Sequence, residues 1–282
     1  MIISSGNLYA SRFSEADSLF SVGLYRDASI AYEQIAFEFS DNDSVIAEAL
    51  LKKCNCLKAE NHSEDIYHLL SRCKTTSLND SLKAAVLFEQ TLSAYLFGNY
   101  SVARKTIEPV LSLRTDPVMD LSSVFLYSLI LDEQGEWATS KNNLASYFRR
   151  SEIISSSLRD SLLQELNVIY NPDLYPHLKK IKKARLLSMI LPGTGQFYAG
   201  EITRGIVSLG LVALSGVYIY YDIIHELYVA GAAGFFLGET FYVGNVNQLN
   251  GIIIKKNQRK RNLFNATLSN QLSQLHKNIP AQ

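Results

Sequence analysis

Cysteine is scarce: Cys54, Cys56 and Cys73 are the only three in 282 residues. They are too few and too clustered for a disulfide framework. No CxxC pair or HExxH string occurs. His62 and His68 lie between Cys56 and Cys73, but no spacing matches a metal-ligand set. No nucleophile–base pair or carboxylate pair stands at a credible spacing, so an enzyme is not expected, and neither is a cofactor. Net charge is also lacking, with 27 Lys and Arg against 27 Asp and Glu. No global field therefore points to nucleic acid or to an acidic substrate. Sustained period-two alternation is missing as well, which argues against a sheet.

What is present is a repeat. Four segments align: Gly23–Ala28, Asn61–Ile66, Gly98–Ala103 and Gly135–Ser140, whose first residues are separated by 38, 37 and 37 positions. Each follows one apolar-periodic stretch and precedes another. The leading Gly or Asn suits the left-handed conformation that ends a helix. Two residues later stand Tyr25, Tyr100 and Trp137, with Ser63 in the second repeat. Small residues such as Ala28 and Ala103 allow the following helix to approach closely. Cys54 and Cys73 fall where the helices of the second repeat meet and read as packed thiols, or as a disulfide in an oxidising compartment.

These strings resemble the tetratricopeptide family, whose motif runs Gly-x-Tyr-x-x-Ala-x-x-x-Tyr. Gly23, Tyr25, Ala28 and Tyr32 match it fully; Gly98, Tyr100 and Ala103 match with Ile107 in the last place. The resemblance covers roughly residues 11 to 170. It implies an all-α fold, an α-solenoid of helix pairs whose first helices line a concave wall. Carried over, it places Asp17, Phe20, Asn55, Lys58, Phe88, Leu92, Tyr95, Leu129, Asp132 and Glu133 on that wall. Such a surface suits an extended peptide or a partner helix, although Phe88 and Leu92 are equally open to a reading as core residues. The basic cluster that clamps C-terminal carboxylates in some relatives is absent.

The second half is different in kind. Lys179, Lys180, Lys182, Lys183 and Arg185 precede the most apolar part of the chain, and Lys255, Lys256, Arg259, Lys260 and Arg261 follow it. Residues 203–221 and 227–246 are each near the ~20 residues that cross a hydrocarbon core, joined by a polar tip around His225. Tyr218, Tyr220, Tyr221 and Tyr228 gather there as an interfacial belt would. The expectation is a transmembrane helical hairpin. Ala230, Gly234 and Gly238 form a small-xxx-small ridge suited to close helix contact, including that of a membrane-domain oligomer. In a hairpin turning near residue 224, Glu239 of the second span lies opposite about Leu209, where Arg204 could reach it, with Gln196 or Tyr198 as other donors. Otherwise it meets headgroups where the span ends early.

Ahead of the hairpin, residues 186–199 are too short to span and are broken by Pro192-Gly193, which suggests a re-entrant or interfacial segment. The string Leu-Pro-Gly-x-Gly-Gln-x-Tyr-x-Gly, from Leu191 to Gly200, resembles a signature of bacterial membrane proteins that place it just before short transmembrane helices. That resemblance implies an envelope protein of the bacterial inner membrane and assigns no activity. Gly193 and Gly195 lack the strand and the Lys-Ser/Thr of a phosphate loop, so tight turning is expected of them.

The divisions expected are residues 1–10 as the remnant of a signal peptide, 11–178 as the repeat domain, 179–254 as the membrane domain and 255–282 as a basic amphipathic tail. In that tail Phe264, Leu268, Leu272 and Leu275 share a helical stripe, along the membrane or over another helix. Two signals for topology conflict. Basic clusters on both sides of the hairpin hold the repeats in the cytoplasm, whereas a signal-like start exports them to the periplasm. The function implied is a membrane-anchored scaffold or adaptor with a protein or peptide in its groove and membrane lipids around its anchor. The other class of reading is a regulatory or structural subunit of a small transporter or channel.

Overall fold

The computed structural model describes residues 5–113, 115–152 and 154–279, with some side chains, chiefly in 5–8 and 228–246, left outside the description. The described residues are all-helical, without a strand. They divide into two compact units, residues 1–171 with 268–282, and residues 172–267.

The first unit is a succession of helices α1 (Ser5–Ser21), α2 (Tyr25–Glu38), α3 (Asp43–Ala59), α4 (Ile66–Leu70), α5 (Asp80–Leu96), α6 (Tyr100–Ile107), α7 (Pro117–Gln134), α8 (Trp137–Arg150) and α9 (Ser156–Ile169). The four aligned turns separate α1 from α2, α3 from α4, α5 from α6, and α7 from α8. Gly23, Asn61, Gly98 and Gly135 all have φ between 60° and 83°, as expected of residues that end a helix left-handed. The four turns also share one hydrogen-bond pattern. The turn residue donates to the carbonyl three back, and the next residue donates to the carbonyl five before itself: Gly23 to Phe20 and Leu24 to Leu19, and likewise through Glu136 to Leu131, over distances of 2.8–3.1 Å. This is the Schellman closure, which satisfies carbonyls that a helix end would leave open.

The opening ends of the helices are regular too. Asn42, Asn79 and Asp116 stand 37 residues apart, and each accepts backbone N–H bonds at the start of α3, α5 and α7. Pro117 follows the last of them at the first helical position, where its missing N–H costs nothing. From each cap to the next left-handed residue is 19 positions, so the first helix of the pair keeps its length from repeat to repeat.

Packing follows the alignment. Five residues after each turn stand Ala28, Ile66, Ala103 and Ser140, and nine after stand Tyr32, Leu70, Ile107 and Leu144; all eight are buried. The first group lets the second helix close on the first, and the second group fills the core beneath. Repeat two has lost most of its second helix, with α4 only five residues long, yet Ile66 and Leu70 keep these positions. Residues 5–10, expected to belong to a signal remnant, are part of α1, and Tyr9 sets its ring edge-on to Phe13 and Phe39. Residues 1–4 lie outside the described part.

The second unit holds α10 (Ile181–Ile190), α11 (Thr194–Ala199), α12 (Ile202–Ile224) and most of α13 (Tyr228–Lys277). Only α12 is, among the described residues, both long and apolar enough to cross a membrane, and little of it is buried. Residues 186–199, expected as a re-entrant or interfacial segment broken at Pro192-Gly193, fall in two helices that part there, because proline offers no N–H to continue α10. Helix α13 runs through the expected boundary at 254/255 without interruption. Its last residues belong to the first unit, where Leu268, Leu272, Leu275 and Ile279 are buried and His276 meets the Phe125 ring edge-on at 4.7 Å. Of the two places foreseen for that stripe, covering a helix is the one found.

That cover has a measurable weight. Leu272→Ala empties a site only 1% exposed and is expected to destabilise the first unit by about 2–5 kcal/mol. Val168→Ala, on the exposed face of α9, is expected to change it by about 0.5 kcal/mol or less. Urea unfolding of the two variants, followed by the fluorescence of buried Trp137, compares them directly.

Candidate functional site

Helices α1, α3 and α5, the first of the first three pairs, are joined through charge. Lys52 of α3 bonds both carboxylate oxygens of Asp17 on α1 at 2.8 Å, and Tyr32 donates to the same carboxylate at 2.5 Å. Burial raises the Asp17 pKa, but the bonds from Lys52 and Tyr32 outweigh it and hold the carboxyl below its ordinary value. One repeat on, Lys58 of α3 pairs with Glu89 of α5 at 2.6 Å. These bridges tie Asp17 and Lys58, both expected to face a ligand, to other helices of the first unit. Lys58 and Asp17 therefore space the helices as well as colour the surface.

The other residues expected on a wall differ in exposure. Asn55 is exposed on α3. Phe20, Leu92, Leu129 and Glu133 are half-buried, with Phe20 edge-on to Tyr25 at 5.2 Å. Phe88, Leu92 and Tyr95 pack against the core formed by Ala84, Ala94, Ala103 and Ile107, so the core reading left open for Phe88 and Leu92 describes their inner faces. Tyr95 lies 5.6 Å from Tyr100, centroid to centroid.

Asp132 departs from expectation. It is 2% exposed, not on the surface of the wall. Tyr170, just past α9, donates its hydroxyl to Asp132 Oδ2 at 2.7 Å and lies 2.8 Å from the Ser140 hydroxyl; Ser140 in turn donates to the Ser128 carbonyl at 3.0 Å. A polar knot thus joins α7, α8 and the end of α9 inside the unit. The repeat motif misplaced Asp132 because it describes helix pairs in the middle of a stack, whereas α9 here covers the face of the last pair.

The three cysteines are free thiols. Burial pushes Cys54 up to about 12 and Cys73 up to about 11, which leaves little thiolate at neutral pH. Packed thiols, one of the two readings open to the sequence, fit this environment. Among the described residues no group of three His, Cys, Asp or Glu side chains could hold a metal ion.

In the second unit the Leu191–Gly200 string is a packing device. Gly193 has φ +94°, and a Cβ there would come within 2.5 Å of the Gly205 carbonyl oxygen on α12. A Cβ on Gly195 would overlap Ser188 and the Ala184 carbonyl on α10 and press on Leu249 of α13. Its N–H donates to Ser188 Oγ at 3.1 Å, and Gln196 beside it is 2% exposed. The tight turning expected of these glycines is therefore required by close approach of three helices. Gly200, at φ +77°, closes α11 with the same pair of bonds that closes the repeats.

Two lysines complete that helix end. Lys179 Nζ donates to the Tyr198 carbonyl, and Lys256 Nζ donates to the Ala199 and Gly200 carbonyls at 3.1 Å each while pairing with Glu201 at 2.6 Å. Cations at a helix C-terminus answer both its open carbonyls and its dipole. Asn257 accepts from the Lys179 N–H at 2.9 Å and donates to the Lys179 carbonyl at 2.8 Å. The sequence marked both lysines as members of basic clusters; nothing in their spacing revealed them as caps.

These contacts also fix heights. Residue 179 sits level with 257, the start of α12 with 256, and Gly195 and Ser188 with Leu249. On α10 the exposed residues change from Lys182, Lys183 and Arg185 to Leu186, Met189, Ile190 and Leu191. On α13 the change in reverse chain direction is from Arg259 and Lys255 to Ile254. On α10 charged surface gives way to apolar surface, whereas on α13 exposed Ile254 is followed by exposed Gln248 and Asn247.

The expected pairing of Glu239 with Arg204 is not found. Gly238 lies against Ser215 and Gly234 against Tyr218, so α13 is displaced by about one helical turn from the register assumed. Arg204 stands eleven residues from Ser215, about 16 Å of helix rise, too far for its side chain. It pairs instead with Glu201 at 3.9 Å. Glu239, next to a residue that faces α12, is exposed. Gly234 and Gly238 of the small-residue ridge thus contact α12; the side chain of Ala230 lies outside the described residues.

Compared with family models, with curated proteins and with solved structures, the chain matches none.

The polar knot carries a pH signature. Burial pushes the Asp132 carboxyl from 3.8 up to about 8, against the lowering bonds from Tyr170 and Ser140. Between those values the folded chain holds the proton and the unfolded chain releases it, so stability falls as pH rises through this window. The wild type is expected to lose more thermal stability than Asp132→Asn between pH 4 and pH 8. Melting both proteins across that range measures the difference; parallel curves would remove Asp132 as its cause.

Proposed function

We propose that this chain is a membrane-anchored helical-repeat scaffold that holds a protein or peptide partner, in the assembly, secretion or transport machinery of a bacterial envelope. The observation that carries the anchoring is α12, long and apolar enough to cross a membrane and little buried, beside an exposed face of α10 that turns from Lys182, Lys183 and Arg185 to Leu186, Met189 and Ile190. A bilayer surface imposes that pattern on a helix that meets it. Helix α12, with 23 residues, is about 34 Å long, sufficient for a hydrocarbon core of ~30 Å. Contact of Gly234 with Tyr218 and of Gly238 with Ser215 supports the return of the chain through α13 as the second arm of a hairpin. In this reading α10 and α11 lie at the interface with their exposed leucine, isoleucine and methionine in the acyl region.

The binding half of the proposal rests on the repeats. Identical closures and evenly spaced caps support a solenoid of tetratricopeptide type, with α1, α3, α5 and α7 as its concave wall. Asn55, Phe20, Leu92, Leu129 and Glu133 are the wall residues best placed to meet a ligand. Asp17 and Lys58 contribute charge while spacing the helices.

Single cysteines at Ser81 and His225, in a background without native thiols, test the anchor. The hairpin reading expects an impermeant thiol reagent to label the two sites from opposite faces of sealed vesicles. Equal labelling from one face would remove it.

Photocrosslinkers at Asn55 and at Thr139, on the exposed face of α8, test the wall in intact cells. A discrete adduct is expected from Asn55 and not from Thr139. Identical patterns from both would sink the groove as the binding surface.

A further inference from the structure

Residues 172–267 carry eleven Lys and Arg against five Asp and Glu, and the cations have different occupations. Lys179 and Lys256 hold the end of α11, and Lys260 donates to the His177 carbonyl at 3.2 Å. Lys183 lies over the Tyr198 ring at 5.5 Å. Arg204 pairs with Glu201. Lys255 and Arg259 have no such role: both are exposed, and among the described residues neither meets a carboxylate.

These two line one hollow on α13 together with Gln258, Asn262 and Leu263. Spaced at i, i+3, i+4, i+7 and i+8, the five share a face of the helix. The hollow offers two cations, two amides and one apolar side chain, with exposed Ile254 one residue before it on the apolar side. A phosphodiester with a hydrocarbon chain presents the complementary set: an anion for Lys255 and Arg259, oxygens for the amides, and methylenes for Ile254 on the apolar side.

We infer that Lys255 and Arg259 form a headgroup site for an anionic phospholipid, distinct in role from the lysines that cap α11. The inference rests on the membrane reading proposed above and adds to it a ligand and two residues. Its height supports a bilayer lipid as the source of the phosphate. Lys255 adjoins Lys256, which is level with the start of α12, so a bound headgroup would lie where charged surface meets apolar surface.

The full chain reconstituted in phosphatidylcholine vesicles, doped with spin-labelled phosphatidylglycerol or spin-labelled phosphatidylcholine, provides the test. Alkaline carbonate extraction comes first. Release of the chain would overturn the membrane reading, and this inference with it. For retained chain, the wild type is expected to restrict phosphatidylglycerol more than phosphatidylcholine. Lys255→Gln with Arg259→Gln should weaken that preference by about thirtyfold, at about 1 kcal/mol for each of the two surface cations. Lys255→Arg with Arg259→Lys should keep it. Equal restriction of the two lipids in the wild type, or an unchanged preference in the glutamine variant, would overturn the inference and leave the anchor standing. Loss of the preference in inorganic phosphate, but not in chloride of equal ionic strength, would assign the hollow to free phosphate and overturn it equally.

Discussion

The architecture depends on how its helices stop. An α-helix ends with four carbonyls lacking partners, and a chain built of short helices meets this problem every few turns. Here one solution recurs: a residue in the left-handed region, with two N–H groups turned back over the last turn. It ends α1, α3, α5 and α7 in the first unit and α11 in the second. Because the closure is always the same, the following helix leaves each corner in the same way, and Ala28, Ile66, Ala103 and Ser140 arrive at equivalent places in the core. The repetition survives the near loss of α4 for this reason. The corner, with the buried position five residues on, defines the repeat more strictly than the second helix does.

Electrostatics does unlike work in the two units. In the first, charges cross between neighbouring helices: Asp17 with Lys52, Lys58 with Glu89, and Glu33 with both Lys53 and Arg72. Such half-exposed pairs contribute modestly to stability, but they restrict which helices lie side by side. In the second, cations address backbone. Lys179 and Lys256 serve carbonyls that α11, six residues long, cannot satisfy within itself. Glu201 is held below its ordinary value, first by its hydrogen bond from Lys256 and then by that lysine's charge.

The sequence revealed most where backbone conformation admits few residues. Gly23, Asn61, Gly98 and Gly135 were legible because left-handed φ selects glycine and asparagine, and Gly193 because close packing tolerates no side chain. The caps at Asn42, Asn79 and Asp116 carried an equally regular signal, visible only once helix starts are aligned as well as helix ends. Asp132 was misplaced for want of knowing that α9 covers its face. The Arg204–Glu239 pairing failed because loop length does not determine the register between two long helices; small residues at Gly234 and Gly238 do. Of the residues expected on a wall, Asn55 is exposed and Phe20, Leu92, Leu129 and Glu133 are half-buried. The double role of Asp17 and Lys58 needed the third dimension.

The closing contacts also set an order in time. Lys179 and Asn257 are 78 residues apart, and Leu268 to Ile279 complete the first unit although all of residues 172–267 are made in between. During synthesis, therefore, the aligned helix pairs emerge early yet wait with an uncovered apolar face until the second unit has been translated. A nascent chain interrupted anywhere in that interval displays the same unfinished surface. Completion of the first unit thereby requires that the second has already been produced.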